Sequence, residues 1–192
     1  MNQEFAFKKT FLLSLVISLS VSALIGVIIF LFGEIGELEF RLLMTTLAIG
    51  GYSLTGLCCA ALYEKKKIAL VSVSGMIVSV LGFIFTFLVI WEIVDGHLES
   101  IIMDVVTFII LSISLAHASL MLLMTPKTSL VRWSLSFTLI FIAIVTLMLL
   151  YIVVFDVHKL GEFYFRLLGA FGILDALGTL ATPLLHRAYN EG

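Results

Sequence analysis

Long stretches without a charged residue constrain this chain more than any other feature of its sequence. Five of them contain no Asp, Glu, Lys or Arg, and a sixth is interrupted only by Asp175. A helix needs about 20 mostly apolar residues to cross the ~30 Å hydrocarbon core of a bilayer. We therefore predict six membrane-spanning helices, spans 1 to 6 in chain order. They are residues 10–33, 42–63, 68–91, 105–126, 133–155 and 167–186.

The composition excludes several other classes of protein. The chain is 61% hydrophobic and only 12% charged, whereas soluble domains carry about 25% charged residues. A formal net charge of -2 gives no basis for nucleic-acid binding. Transmembrane β-strands would alternate in polarity over about 10 residues, which these longer apolar runs do not do. We expect a single all-α, polytopic membrane domain over residues 1–192, in contact with the lipid bilayer and with no nucleic-acid partner.

The positions of the basic residues predict the orientation of the helices. With the N-terminus inside, the outer segments carry only Arg41, Lys159 and Arg166. The inner segments carry the other basic residues, which are Lys8, Lys9, Lys65, Lys66, Lys67, Lys127, Arg132 and Arg187. Because short cytoplasmic loops carry the excess of Lys and Arg, both termini are expected to be cytoplasmic. The expected location is the plasma membrane or an inner membrane.

A repeated motif predicts how the spans are grouped. Residues 36–43 read GELEFRLL and residues 161–168 read GEFYFRLL, and residues 96–99 between them read GHLE. Each motif lies between an odd-numbered span and the even-numbered span that follows it. We predict three tandem helical hairpins of the same orientation, approximately 1–65, 66–127 and 128–192. Internal repeats of this kind build many membrane bundles and transporters.

The layout of six spans within about this length resembles that of the HdeD-like acid-resistance membrane proteins. The likeness covers the whole chain, as layout alone. It implies a six-span membrane fold and assigns no functional residue.

Stripes of small residues predict packing faces on two odd-numbered spans. Small residues let helix backbones approach closely in lipid, where helix association depends on packing and interhelical hydrogen bonds. We expect both stripes to face other helices. They are Ser14, Ser18, Ser22 and Gly26 in span 1, and Ser72, Gly75, Ser79 and Gly82 in span 3.

Polar seams follow one face of each even-numbered span, at spacings of 3, 4, 3 and 4 residues. Counted from the repeat glycines, Ser114 should be level with Thr179, and His117 with Thr182. We expect the three seams to turn toward a shared interior. The seams are Thr45, Ala48, Tyr52, Thr55 and Cys59 in span 2; Thr107, Ile110, Ser114, His117 and Met121 in span 4; and Gly172, Asp175, Thr179, Thr182 and His186 in span 6.

The candidate intramembrane polar site combines Asp175, Thr179, Thr182, His117 and Ser114. An Asp at a helix centre costs about 2.5–3.5 kcal/mol on insertion scales, so such residues are candidates for function. One interpretation of Asp175 is a proton or cation site. The other is a neutral residue whose hydrogen bond fixes the bundle. His117 likewise has two interpretations, a neutral hydrogen-bonded side chain or a titrating relay.

Three charged residues lie near the outer ends of the even-numbered spans. Asp104 could form an ion pair with Arg41 or Arg166 across the hairpins and lock the outer side of the bundle. In the alternative interpretation, all three side chains reach into the lipid headgroups.

Motifs for catalysis are absent from the sequence. We find no HExxH, GxSxG, P-loop or GxGxxG pattern, and the four histidines fall at different depths. We therefore expect no enzyme, no catalytic residue, no metal and no cofactor. The first hypothesis is an accessory subunit or scaffold that acts by assembly, as a homo-oligomer or within a membrane-protein complex. The alternative is a small-solute or proton-linked transporter that uses the seam around Asp175.

Overall fold

The computed structural model describes residues 36–65, 68–93, 98–126, 128–155 and 161–190, together with positions 13, 16, 17, 20, 21, 23, 24 and 26–28. The helices are numbered like the spans. The described positions between 13 and 28 are helical and belong to α1. The others are α2 (Glu37–Glu64), α3 (Ala69–Ile90), α4 (Leu98–Leu122), α5 (Ser129–Val154) and α6 (Glu162–Asn190). The prediction of an all-helical fold is confirmed.

Five helices, α2 to α6, are long and apolar enough to cross a membrane. Mean hydropathy over the most apolar 18 residues reaches 2.5 in α3 and 2.9 in α5. These five helices coincide with predicted spans 2 to 6. Of the stripe predicted for span 1, Ser14, Ser18 and Ser22 lie outside the described residues.

In α3 and α6 small and hydroxylated residues are buried and large aliphatic residues are exposed. The buried residues of α3 are Ser72, Gly75, Ser79 and Gly82, whereas Leu70 on the same helix is 82% exposed. The same holds in α6, where Thr182 is fully buried and Leu180 is 70% exposed. Soluble domains bury their large aliphatic residues instead. Small and hydroxylated residues inside and aliphatic residues outside are typical of helices packed in lipid.

The helices pack mainly against their neighbours in the chain. α2 packs against both α3 and α4, α4 also packs against α3 and α5, and α5 packs against α6. A small apolar core between α4 and α5 contains Met121, Leu135 and Ile142. α4 therefore occupies the centre of the described bundle, and α6 lies at its edge.

The connection that leaves α3 has an unusual backbone. Glu92 has φ 52°, in the left-handed region that non-glycine residues seldom adopt. The next residue, Ile93, donates its N–H to the carbonyl of Leu88 at 2.9 Å and closes the end of the helix. This turn fixes the direction in which the chain leaves α3.

Candidate functional site

The polar seam of span 2 packs against α3. Thr45, Tyr52 and Thr55 each form a side-chain hydrogen bond to α3 or to the residue that ends it. This seam therefore faces α3, which corrects the expectation that it turns toward an interior shared by the even-numbered helices. The three hydrogen bonds are Trp91 Nε1 donating to Thr45 Oγ1 (3.2 Å), Tyr52 Oη with Thr86 Oγ1 (3.0 Å), and Thr55 Oγ1 with Ser79 Oγ (3.0 Å).

The glycines of α3 allow this close approach. A Cβ atom at Gly75 would collide with Cys59 Sγ, and one at Gly82 would lie 2.6 Å from an edge carbon of the Tyr52 ring. The prediction that the small stripe of span 3 is a packing face is confirmed. Cys59 also meets α4, because Ser119 Oγ donates to its Sγ at 3.5 Å.

Thr182 lies between α6 and α5 instead of beside Asp175. Its side chain is fully buried and its hydroxyl lies 2.9 Å from Ser134 Oγ and 3.1 Å from Thr138 Oγ1. One turn earlier, a Cβ atom at Gly178 would lie 2.5 Å from Thr138 Oγ1. The hydroxyls of Thr182 and its partners therefore join α5 to α6 at close range.

His117 and Thr179 join α4 to α6. His117 Nε2 lies 2.9 Å from Thr179 Oγ1. The two seams of α4 and α6 therefore meet, but about one turn away from the predicted levels, which paired His117 with Thr182. Ser114 is half-buried on α4, and no hydrogen bond among the described residues joins it to the other members of the predicted site. Near the C-terminal end of α6, His186 Nε2 lies 3.2 Å from the carbonyl oxygen of Thr125.

Asp175 carries a buried oxygen atom that the described bundle leaves without a hydrogen bond. Its Oδ1 is buried and has no hydrogen-bond partner among the described residues. Its carboxyl group lies one helical turn from Thr179, whose hydroxyl contacts His117. Of the predicted site, the structure thus brings Asp175, His117 and Thr179 together and turns Thr182 away toward α5.

Arg41 and Arg166 have partners other than Asp104. Arg41 Nη2 lies 2.6 Å from Glu37 Oε1 and 2.8 Å from Glu92 Oε1. Arg166 pairs with Glu162 at 3.1 Å on its own helix, and Asp104 is exposed. Among the described residues, the ion pair that joins α2 to the end of α3 is therefore Arg41 with Glu92, in place of the pair expected with Asp104.

A cavity of about 440 Å³ lies between α2, α3 and α4. Its walls include Gly51 and Tyr52 of α2, Thr86 of α3, and Val105 and Ile109 of α4, and its lining is almost entirely apolar. Neither Asp175 nor His117 is among the lining residues. The sequence did not predict this cavity. The polar seam of span 2 contributes to one wall, but nothing in the sequence indicated the walls formed by α3 and α4.

Within the described part of the chain, no group of three or more His, Cys, Asp or Glu side chains could hold a metal ion. Comparisons with known protein families, curated proteins and solved structures find no match for this chain.

Proposed function

We propose that the chain is a multi-pass membrane protein of six spans, built as three tandem hairpins, with both termini in the cytoplasm. In this proposal it is not an enzyme and acts by assembly, as an accessory subunit or scaffold. The apolar exterior of α2 to α6 supports the membrane location. The distribution of basic residues supports the orientation.

The observation that carries the assembly function is the pairing of interior hydroxyls between helices. Side-chain hydrogen bonds join α2 to α3, α4 to α6 and α5 to α6. These bonds use the hydroxyls that could otherwise line a polar pathway. The apolar lining of the cavity described above is a poor route for an ion or a polar solute, since hydrocarbon walls offer no replacement for its water.

The edge helix α6 offers a surface for assembly. A Cβ atom at Gly169 or Gly172 would meet no described residue within 4 Å. At Gly75, Gly82 and Gly178, in contrast, a neighbouring side chain already occupies that space. Small residues permit close helix packing in lipid. The open face around Gly169 and Gly172 therefore fits a helix from a second copy or from another membrane protein.

Assembly is tested by the mass of the particle extracted in a mild detergent. In native mass spectrometry, we expect a complex whose mass is well above the 21.2 kDa of a single chain. Gly169→Leu and Gly172→Leu should shift the population toward single chains, because leucine fills the open face. Ala170→Leu, on another side of α6, is the matched control and should leave the complex intact. A parent protein that stays a monomer at every concentration would contradict the proposal.

A second candidate function rests on Asp175. Its unpartnered Oδ1, beside His117, is what a proton or cation site within a membrane would present. In this alternative, a small-solute or proton-linked transporter uses Asp175 as its binding group, with His117 and Thr179 beside it.

A further inference from the structure

The cavity between α2, α3 and α4 follows from how α2 and α4 separate. In the inner half of the bundle the two helices meet at Cys59 and Ser119. Toward the outer side, Gly51 presents no side chain, and a Cβ atom there would meet nothing within 4 Å. Val105 and Ile109 form part of the α4 wall of the remaining space.

The cavity has the depth of one bilayer leaflet. On α2 it runs from Met44 to Thr55, which is about 16 Å at 1.5 Å per residue. Half of the ~30 Å hydrocarbon core of a bilayer is a similar length. The indole N–H of Trp91, bonded to Thr45, and the ion pairs of Arg41 lie at its outer end. Such groups are typical of the level of the lipid headgroups.

The cavity opens onto a surface of exposed aliphatic side chains. Leu47 on α2 is 63% exposed, and Ile102 and Ile113 on α4 are 48% and 57% exposed, and all three line the cavity. In a membrane this opening faces hydrocarbon. An empty apolar space of this size would leave its walls without contacts, whereas a chain entering from the bilayer would restore them.

We propose that this cavity binds one hydrocarbon chain of an outer-leaflet membrane lipid, held between α2 and α4. The proposal rests on the membrane location in the proposed function, but not on assembly. The apolar walls match a hydrocarbon chain and offer little to a polar ligand. Arg41 is already paired with two carboxylates, so binding depends on the chain and is insensitive to the headgroup.

The test uses a phospholipid with a photoreactive diazirine midway along one acyl chain, incorporated with the full-length protein into vesicles. Peptide mass spectrometry then locates the labelled residues. We expect labelling at Met44 and Ile109 to exceed labelling at Leu147 and Leu180 severalfold, because a chain held between α2 and α4 contacts the cavity walls on several sides, whereas bulk lipid contacts a surface residue from one side. Lipids with choline or glycerol headgroups and the same labelled chain should give the same pattern.

Gly51→Leu fills the cavity and should reduce the labelling at Ile109 to the level of Leu147. Ile109→Phe fills it from the opposite wall and provides an independent variant, read out at Met44. Ala170→Leu, on the distant helix α6, should change neither. Equal labelling of cavity and surface residues in the parent protein would overturn the proposal.

A photoreactive amino acid at position 47 identifies any protein occupant. Cross-links from it to residues 10–33 of the same chain would assign the cavity to the first predicted span and overturn the lipid site. Cross-links to a second copy would do the same. The particle mass that tests assembly is a separate measurement, so failure of the lipid site and failure of the proposed function are distinguishable.

Discussion

Gly75→Leu is expected to destabilise the protein by overpacking the interface between α2 and α3. The new side chain would enter the space that Cys59 fills, and Cys59 is itself held against Ser119 of α4. Overpacking of a close interface costs about 1–3 kcal/mol, which exceeds the ~0.8 kcal/mol that replacing a helical glycine can return. Thermal unfolding in detergent should therefore begin several degrees lower, at about 2–4 °C per kcal/mol for a chain of this length.

Gly51→Leu is the matched control for this prediction. The substitution is the same and the residue lies on the partner helix α2, but a Cβ atom there meets open space. Gly82→Leu should behave like Gly75→Leu, because the ring of Tyr52 lies against it. If Gly75→Leu and Gly51→Leu unfold at the same temperature, the α2–α3 interface is not packed as described.

Asp175→Asn is expected to leave folding and assembly unchanged or to stabilise them. Asparagine keeps the size of the side chain and removes a charge that the bundle leaves without a hydrogen-bond partner at Oδ1. Thermal unfolding should therefore occur at the same temperature or higher, at acid and at neutral pH. The same variant decides between scaffold and transporter, because asparagine cannot bind and release the proton or cation that the transporter requires.

Proton and cation flux in reconstituted vesicles distinguishes the scaffold from the transporter. As a scaffold, the parent protein should give no flux above that of empty vesicles. A flux that Asp175→Asn abolishes would establish the transporter instead. Thr179→Val should then weaken the flux as well, because Thr179 contacts His117. Thr182→Val should affect mainly stability, by about 0.6–1.7 kcal/mol for a lost interhelical hydrogen bond, because Thr182 faces α5.

The features that sequence predicts well here are those that a single helix determines. The spacing of Ser72, Gly75, Ser79 and Gly82 puts them on one face of α3 whatever surrounds it, and they are the residues that α3 buries. The lengths of the apolar stretches likewise predicted the five helices α2 to α6. Both follow from the 3.6-residue period and the apolar length of a helix.

The features that sequence missed depend on how two helices lie against each other. The seam of span 2 was identified, but its spacing does not say whether it faces α3 or α4. Arg41 pairs with Glu92, which follows the end of α3, and no residue spacing predicts the left-handed backbone at Glu92. His117 contacts Thr179 instead of Thr182. A relative shift of α4 and α6 by one turn keeps each polar seam on the same face of its helix, so the residue spacing does not predict which residues meet.

The six-span topology is tested most directly by labelling single cysteines with an impermeant maleimide in intact cells. The two native cysteines, Cys58 and Cys59, are first replaced by alanine. Cysteines at positions 36, 97 and 161 should react in intact cells, whereas cysteines at positions 3, 66 and 191 should react only after the membrane is permeabilised. Reaction at position 66 in intact cells, or at positions 36 and 3 from the same side, would contradict the six-span account.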